Sequence, residues 1–233
     1  MIATLSAERA IELESVLHYR ELTRPTRTQR RILDDLFGKL KEAQDFRDQP
    51  VGMAFRLLVE KTLLFLALRH NVSRLMATPL SEYLFEGDDG KPETKEKALH
   101  QDFYGSLKMS DLARHVETEV WEIGGGRVDI LLRFDEFRFV VEIKRELGDP
   151  SPERLQQYLG QSVLYQSTDV KLGLLLVLDL TDKPRGPPSL EKSIWLARSR
   201  PKPADDWRYV VVAVVPGNRR RPSETITGEA EPM

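Results

Sequence analysis

Asp129, Glu142 and Lys144 are charged residues set inside apolar, β-branched segments, GRVDILLRF and FRFVVEIKR. Side chains alternate between the two faces of a strand, so Glu142 and Lys144 share one face. Asp129, on a neighbouring strand, can reach that same face. A carboxylate in such a segment is costly to desolvate unless a cation pairs with it. Three charges on consecutive strands therefore predict a site.

These residues have the chemistry to bind a hard cation. Two carboxylates that converge from adjacent strands suit Mg²⁺ or Mn²⁺. The backbone carbonyl of Ile143, between the two charged positions, is a further predicted ligand. Lys144 would add a positive charge beside the ion. There it could orient a water, help to deprotonate it or stabilise a charged pentacovalent phosphate.

The spacing of these residues resembles a known family. Asp129, twelve intervening residues and then Glu142-Ile143-Lys144 are similar to the PD-(D/E)xK nuclease superfamily, which has the restriction-endonuclease-like fold. The order of elements from about residue 95 to 180 is also similar to the common core of that fold. The resemblance implies that Asp129 and Glu142 bind magnesium, and that Lys144 assists the attack of water on a phosphodiester.

Two further motifs indicate which subgroup of this superfamily the chain resembles. Val128 stands where the superfamily name has proline, but Gly126-Arg127-Val128-Asp129 is similar to the opening found in RecB-like nucleases and related defence enzymes. That subgroup also carries Gln-x-x-x-Tyr on the helix after the lysine strand, and Gln161 and Tyr165 fit it here. With Gln157 they form a polar stripe at helical spacing, able to bond phosphates or to hold the lysine. The alternative is an ordinary solvated helix face.

The resemblance leaves the choice of an additional acidic ligand open. Glu96 and Asp102, on the helix before the first strand, are both candidates, and Glu119 on the first strand is another. His100 and His115 are candidate bases or ligands, although single histidines in helices usually serve packing or lie on the surface.

An arginine cluster between the first two predicted helices is the candidate nucleic-acid contact. The formal net charge of the chain is -2, so binding to nucleic acid would need local clusters of Arg and Lys. The same negative charge suggests that the affinity depends on a homodimer or a partner subunit. The alternative is a solvated, capped turn. The predicted contact residues are Arg24, Arg27, Arg30, Arg31 and Gln157, with further help from the arginines at 20 and 219–221.

The hydrophobic patterns predict a mixed α/β fold with an N-terminal helical region and helices able to cover both faces of a sheet. The resemblance implies that its core is restriction-endonuclease-like, with helices that flank a mixed central sheet. The turn-rich stretch 87–97 is the predicted boundary, which gives a helical region 1–86, a nuclease-like domain 87–217 and a disordered tail 218–233. Predicted helices span 6–22, 28–46, 53–75, 93–115, 152–166 and 189–198. Predicted strands span 116–123, 127–134, 137–145, 171–180 and 207–217, the first three joined as hairpins.

The composition narrows the cellular setting. The chain has no cysteine, which excludes disulfides and thiolate metal sites and fits the cytoplasm. The early residues lack a basic segment followed by an apolar core, so no signal peptide is expected. The longest apolar run, Leu63–Leu68, is far too short to span a bilayer, so no membrane association is expected.

The sequence thus predicts a metal-dependent nuclease that acts on DNA more than on RNA. A role in anti-phage defence or DNA repair follows from the resemblance alone. One alternative is a catalytically silent subunit that uses the same fold for nucleic-acid binding or assembly. Another is a small-molecule sensing domain with a pocket built from the helical region.

Overall fold

The structure is a computed structural model that describes residues 24–72, 81–85, 92–123, 126–164, 170–183 and 186–219, without the side chains of 119–127 and 161–164. The predicted helix 6–22 and Tyr165 lie outside these ranges.

Six strands of the described part form a single mixed sheet: β1 Val116–Ile123, β2 Gly126–Arg133, β3 Arg138–Glu146, β4 Leu172–Asp179, β5 Ile194–Ser199 and β6 Arg208–Pro216. The order across the sheet is β1-β2-β3-β4-β6-β5, so β1 and β5 are the edge strands. β1 to β3 are antiparallel neighbours, β3, β4 and β6 run parallel, and β5 is antiparallel to β6. Both predicted hairpins are confirmed.

In the described ranges, five α-helices surround the sheet: α1 Arg27–Leu40, α2 Gln44–Arg47, α3 Gln49–Asn71, α4 Pro92–Lys108 and α5 Pro152–Leu164. A capping box between Thr26 and Gln29 begins α1, and the Asp48 side chain caps α3. No helix in the described ranges is long and apolar enough to cross a membrane.

The predicted helix 28–46 is wrong in its second part, because the chain turns after α1 and begins again as α2. The turn brings the Phe46 ring to 6.0 Å from Phe37 and 6.4 Å from Phe55. Burial of Phe46 against two other rings therefore outweighs continuation of α1.

The predicted helix 189–198 is wrong as well. Only Leu190–Lys192 is helical, as one 3₁₀ turn, and β5 follows it. Ile194 pairs with Ala213 and Ser199 with Arg208 of β6. These partners are distant in sequence, so the pairing that decides the conformation of this segment leaves no local periodic signal.

The N-terminal helices share one hydrophobic core with the sheet. Leu33 of α1, Phe55 of α3 and Leu99 of α4 belong to the same buried cluster as Val141 and Ile143 of β3. The turn-rich break at 87–97 therefore does not divide two separate cores.

The opposite face of the sheet is covered by α5. Leu155 and Leu159 pack against Leu175 and Val177 of β4 and against three valines of β6. The two faces of β3 thus have different environments: Val141 and Ile143 face the large core, and Glu142 and Lys144 face the α5 side.

Asn218 and Arg219, predicted to begin the tail, are held by the fold. The Asn218 side-chain amide donates to the Leu180 carbonyl at 2.5 Å. The Arg219 guanidinium donates to the carbonyls of Arg69 and Val72 at 2.6 and 2.9 Å, which satisfies the C-terminal end of α3. Arg219 is thus half-buried in a structural contact, and the other tail residues lie outside the described ranges.

Candidate metal site

The position of Asp129 is set by the point at which the β2–β3 ladder ends. Ile130 pairs with Val141, and one further step of that register sets Asp129 opposite Glu142. The Asp129 carboxylate accepts the backbone amide of Ile143 through Oδ2 at 2.7 Å. The carboxylate therefore bridges the two strands beside the residues that the sequence singled out.

Glu142 and Lys144 form an ion pair on the α5 side of β3. Lys144 Nζ lies 2.5 Å from Glu142 Oε1. Glu142 is almost fully buried, whereas about a quarter of the Lys144 side chain is exposed. The second oxygen, Oε2, is also buried and has no hydrogen-bond partner among the described residues. The pair thus leaves one buried acceptor free.

Burial and the neighbouring charges shift the pKa of both members of this pair. Burial raises the pKa of Glu142, Asp129 and Glu96 add to the rise, and Lys144 opposes it. Burial alone would lower the pKa of Lys144, but the hydrogen bond and the charge of Glu142 outweigh it, so that pKa is raised. Lys144 is therefore a cation at neutral pH.

The structure separates the two candidates for an additional acidic residue. The Glu96 carboxylate accepts from Arg145 at 3.1 Å and lies close enough to Glu142 and Lys144 to raise the pKa of each. Arg145 also bonds Glu93, so it ties the first turns of α4 to β3.

Asp102 has a structural role instead. It is buried, it accepts from Arg69 at 2.6 Å, and it accepts the Tyr83 hydroxyl at 2.8 Å. Its oxygens are thus occupied by a network between α3 and α4. The side chain of Glu119, the third candidate, lies outside the described part.

The described ring contacts of both candidate histidines are to groups other than the Asp129 and Glu142 carboxylates. His100 Nε2 lies 3.0 Å from the Asp129 carbonyl and 3.1 Å from Thr118 Oγ1. It therefore supports the backbone of the aspartate from α4. His115 receives Arg114 Nε–H at 3.0 Å and lies 2.9 Å from the Arg133 carbonyl, at the opposite end of β2.

The helix stripe that follows β3 is only partly described. Gln157 is exposed, and its amide lies 3.5 Å from Glu146 Oε2. Gln161 belongs to α5, but its side chain is outside the description, as is all of Tyr165. The proposed roles of Gln161 and Tyr165 stay predictions.

Glu146 and Tyr158 were missed by the sequence reasoning. Glu146 Oε1 accepts three consecutive backbone amides, those of residues 147–149, and Oε2 accepts the Tyr158 hydroxyl at 3.0 Å. Burial alone would raise the pKa of Glu146, but these hydrogen bonds lower it. The alternation that pairs Glu142 with Lys144 also places Glu146 on their face, and that was the available signal.

The arginine cluster lies away from the carboxylates. Arg24, Arg27, Arg30 and Arg31 are exposed on or just before α1, which packs against the edge strand β5. Arg31 pairs with Glu191, and Arg30 Nε donates to the Pro25 carbonyl at 3.0 Å. β5 is three strands from β3, so these two strands lie roughly 14 Å apart across the sheet.

Asp129 and Glu142 fit a small divalent cation. Within the described ranges, no group of three or more Asp, Glu or His side chains could hold a metal ion. Mg²⁺, however, commonly binds through one or two carboxylates and keeps several waters or substrate oxygens. The buried, partnerless Oε2 of Glu142 is an acceptor of the right chemistry for such an ion.

Comparisons with protein-family models, curated proteins and solved structures find no match to this chain.

Proposed function

We propose that this protein is a metal-dependent nuclease that hydrolyses phosphodiester bonds in nucleic acid, DNA more readily than RNA. The observation that carries the proposal is the arrangement at the end of the β2–β3 ladder. Asp129 is held on the Ile143 amide beside a buried Glu142 whose Oε2 has no described partner, and Lys144 lies on the same strand face.

The topology around these residues supports a restriction-endonuclease-like core. A helix, three antiparallel strands, a second helix and a fourth strand parallel to the third follow one another along the chain. This is the order expected from the resemblance noted for the sequence. The proposed site lies beside the end of the β2–β3 ladder, next to the Ile130–Val141 pair.

Asp129, Glu142 and the Ile143 carbonyl are the proposed holders of Mg²⁺ or Mn²⁺. Such an ion, when bound, polarises a phosphoryl oxygen and acidifies a bound water. Glu96 is the residue available to extend the set, since it already acts electrostatically on Glu142 and Lys144.

Lys144 has the role of a cation. Of the three roles open to it, two use the cation that already pairs with Glu142 in this structure, and proton removal alone needs a neutral amine. We therefore assign Lys144 to charge stabilisation of the phosphate in the transition state and to orientation of the attacking water. The His100 contact to the Asp129 carbonyl makes His100 a positioning residue for the site.

The alternative, a catalytically silent nucleic-acid-binding or assembly subunit, has one observation in its favour. Lys144 already neutralises the charge of Glu142, so the charges of the pair balance without a metal. A role in anti-phage defence or DNA repair belongs to the proposal only through the sequence resemblance.

A cleavage assay tests the proposal. Circular single-stranded DNA, supercoiled plasmid and RNA are incubated with Mg²⁺, Mn²⁺ or EDTA, and the wild type is compared with Glu142→Gln and Lys144→Met. The proposal requires cutting that depends on metal and falls at least about 100-fold in both variants. Cutting that survives both variants contradicts it. Absence of both cutting and Mn²⁺ binding by calorimetry favours the silent subunit.

A further inference from the structure

A cleft of about 550 Å³ lies at the turn of the β2–β3 hairpin, between that turn and the start of α3. Its walls include Met53 and Leu57 of α3, and Phe134 and Phe137 of the hairpin. Asp129 is five residues from Phe134 along β2, roughly 17 Å of extended chain. The cleft is therefore distinct from the candidate metal site, and a volume of several hundred Å³ is typical of small-molecule sites.

One wall of the cleft is a stack of three rings. His115 lies 4.1 Å from Phe134 with an interplanar angle of 23°, and Phe134 lies 4.7 Å from Phe137 at 16°. Both nitrogens of His115 have backbone or side-chain partners, Arg133 and Arg114. The imidazole therefore extends the aromatic wall without adding an unpaired polar group. Since both faces of Phe134 are covered by its neighbours, a planar ligand ring can contact the edges of the stack or its outer face.

The rim of the cleft carries more negative than positive charge. Asp111, Asp135 and Glu136 line it, and Arg114 is the only cation among the lining residues in the described part. Asp111 has a partner in Lys61 at 3.3 Å, whereas Asp135 and Glu136 are exposed at the turn and have no described ion pair. A ligand that carries a positive charge beyond its ring complements this rim.

We propose that this cleft is a binding site for a small planar aromatic ligand that carries a cationic amine. The ring lies against the Phe134 and Phe137 wall, opposite the Met53 side chain, and the amine faces Asp135 and Glu136. The proposal does not depend on nuclease activity, so its test reads binding alone.

The test uses the full chain and the methyl signals of its methionines. Met53 lines the cleft and is 65% exposed, whereas Met109 is 75% exposed and does not line it. The methyl groups are labelled with ¹³C, and Met53→Leu assigns the cleft signal. Three probes share one ring and differ in charge at neutral pH: tryptamine, indole and indole-3-acetate.

We expect a saturable shift of the Met53 signal with tryptamine and none of Met109. Indole-3-acetate should bind at least about threefold more weakly, in line with exposed charge pairs. The double variant Asp135→Asn/Glu136→Gln should remove most of that difference, and the exposed control Glu153→Gln on α5 should keep it. The proposal is overturned if Met53 gives no saturable shift, if Met109 shifts equally, or if the charge preference is absent or unchanged in the double variant.

Discussion

Lys144 satisfies only one of the two oxygens of Glu142. Its Nζ lies 2.5 Å from Oε1, while Oε2 is buried with no partner in the described part of the chain. An unsatisfied buried acceptor costs about 1–3 kcal/mol of folding free energy. Buried polar groups in native proteins are nearly all bonded, so such an exception calls for an explanation. A bound cation would supply the missing partner.

The first prediction concerns this pair in the absence of metal. Replacing a buried ion pair by neutral residues of similar size is often neutral or stabilising. The double variant Glu142→Gln/Lys144→Met should therefore unfold with a free energy equal to that of the wild type or about 1 kcal/mol higher. Each single variant should be less stable than the double one. Urea denaturation in EDTA measures this.

Mn²⁺ calorimetry on the same proteins separates a functional pair from a structural one. We expect the double variant to lose metal binding while it keeps its stability. A double variant that is destabilised by more than about 2 kcal/mol would instead assign the pair to folding.

The second prediction distinguishes Glu96 from Asp102, which the sequence left as equals. Glu96→Gln should weaken Mn²⁺ binding and change the free energy of unfolding by less than about 0.5 kcal/mol, because Glu96 contributes only a partly exposed pair with Arg145. Asp102→Asn should instead leave Mn²⁺ binding unchanged and lower the free energy of unfolding. It leaves Arg69 without its buried carboxylate and should cost about 3 kcal/mol.

Calorimetry and denaturation of the two matched variants provide the test. If Asp102→Asn is as stable as the wild type and binds metal poorly, the assignment of the two carboxylates is reversed.

The third prediction concerns acid stability at the C-terminal end of α3. Burial and the charge of Arg219 lower the pKa of His70 from 6.5 to about 4. Folding therefore favours the neutral imidazole. Above pH 6.5 the imidazole is neutral in both states, and His70 does not lower the free energy of unfolding. As pH falls from 6.5 toward 4, the unfolded chain binds a proton at His70 and the folded chain does not, so the free energy of unfolding decreases. The loss should be about 2 kcal/mol, allowing for partial exposure of the ring.

Urea denaturation of the wild type and His70→Gln at pH 7.5 and pH 4 measures this loss. The wild type should lose about 2 kcal/mol more than the variant over that interval. Equal losses in the two proteins would show that His70 does not contribute to the acid sensitivity.

The fourth prediction concerns the close approach of α2 to α3. A Cβ added at Gly52 would lie 2.2 Å from the Phe46 carbonyl oxygen, which is a severe overlap with backbone. Gly52→Ala should therefore lower the free energy of unfolding by about 3 kcal/mol. Gly38, in α1, is the matched control, since a Cβ there meets nothing within 4 Å.

Gly38→Ala should raise stability by about 0.5–1 kcal/mol, because alanine favours the helix interior. Thermal or urea unfolding of both variants checks the pair. A Gly52→Ala protein as stable as the wild type would mean that α2 packs less closely on α3 than described.

Local pattern was sufficient for the hairpins that carry the candidate site. The alternation in Phe139–Lys144, the glycine turn 124–126 before β2 and the Asp135-Glu136 turn between β2 and β3 set strand bounds within one residue of those observed. It also set the face shared by Glu142 and Lys144, because side-chain alternation is a property of the strand itself. The position of Asp129 close to this pair followed from the hairpin connection.

Local pattern failed where a distant partner decides the conformation. The segment of β5 has the local pattern of a short helix, but its antiparallel pairing with β6 makes it a strand. Glu96 and Asp102 lie six residues apart on one predicted helix, and the local pattern does not distinguish them. Arg69 and Tyr83 decide that Asp102 is structural, and both come from other parts of the chain.

The sequence by itself determined the strand faces, the hairpin order and the three charged residues, since these depend on neighbours within a few positions. The tertiary structure alone decided that the Asp129 carboxylate bonds the Ile143 amide, that Glu142 keeps a free buried oxygen and that the arginines of α1 lie at the far edge of the sheet. Burial and long-range hydrogen bonds arise only when segments pack together, so no periodicity along the chain encodes them.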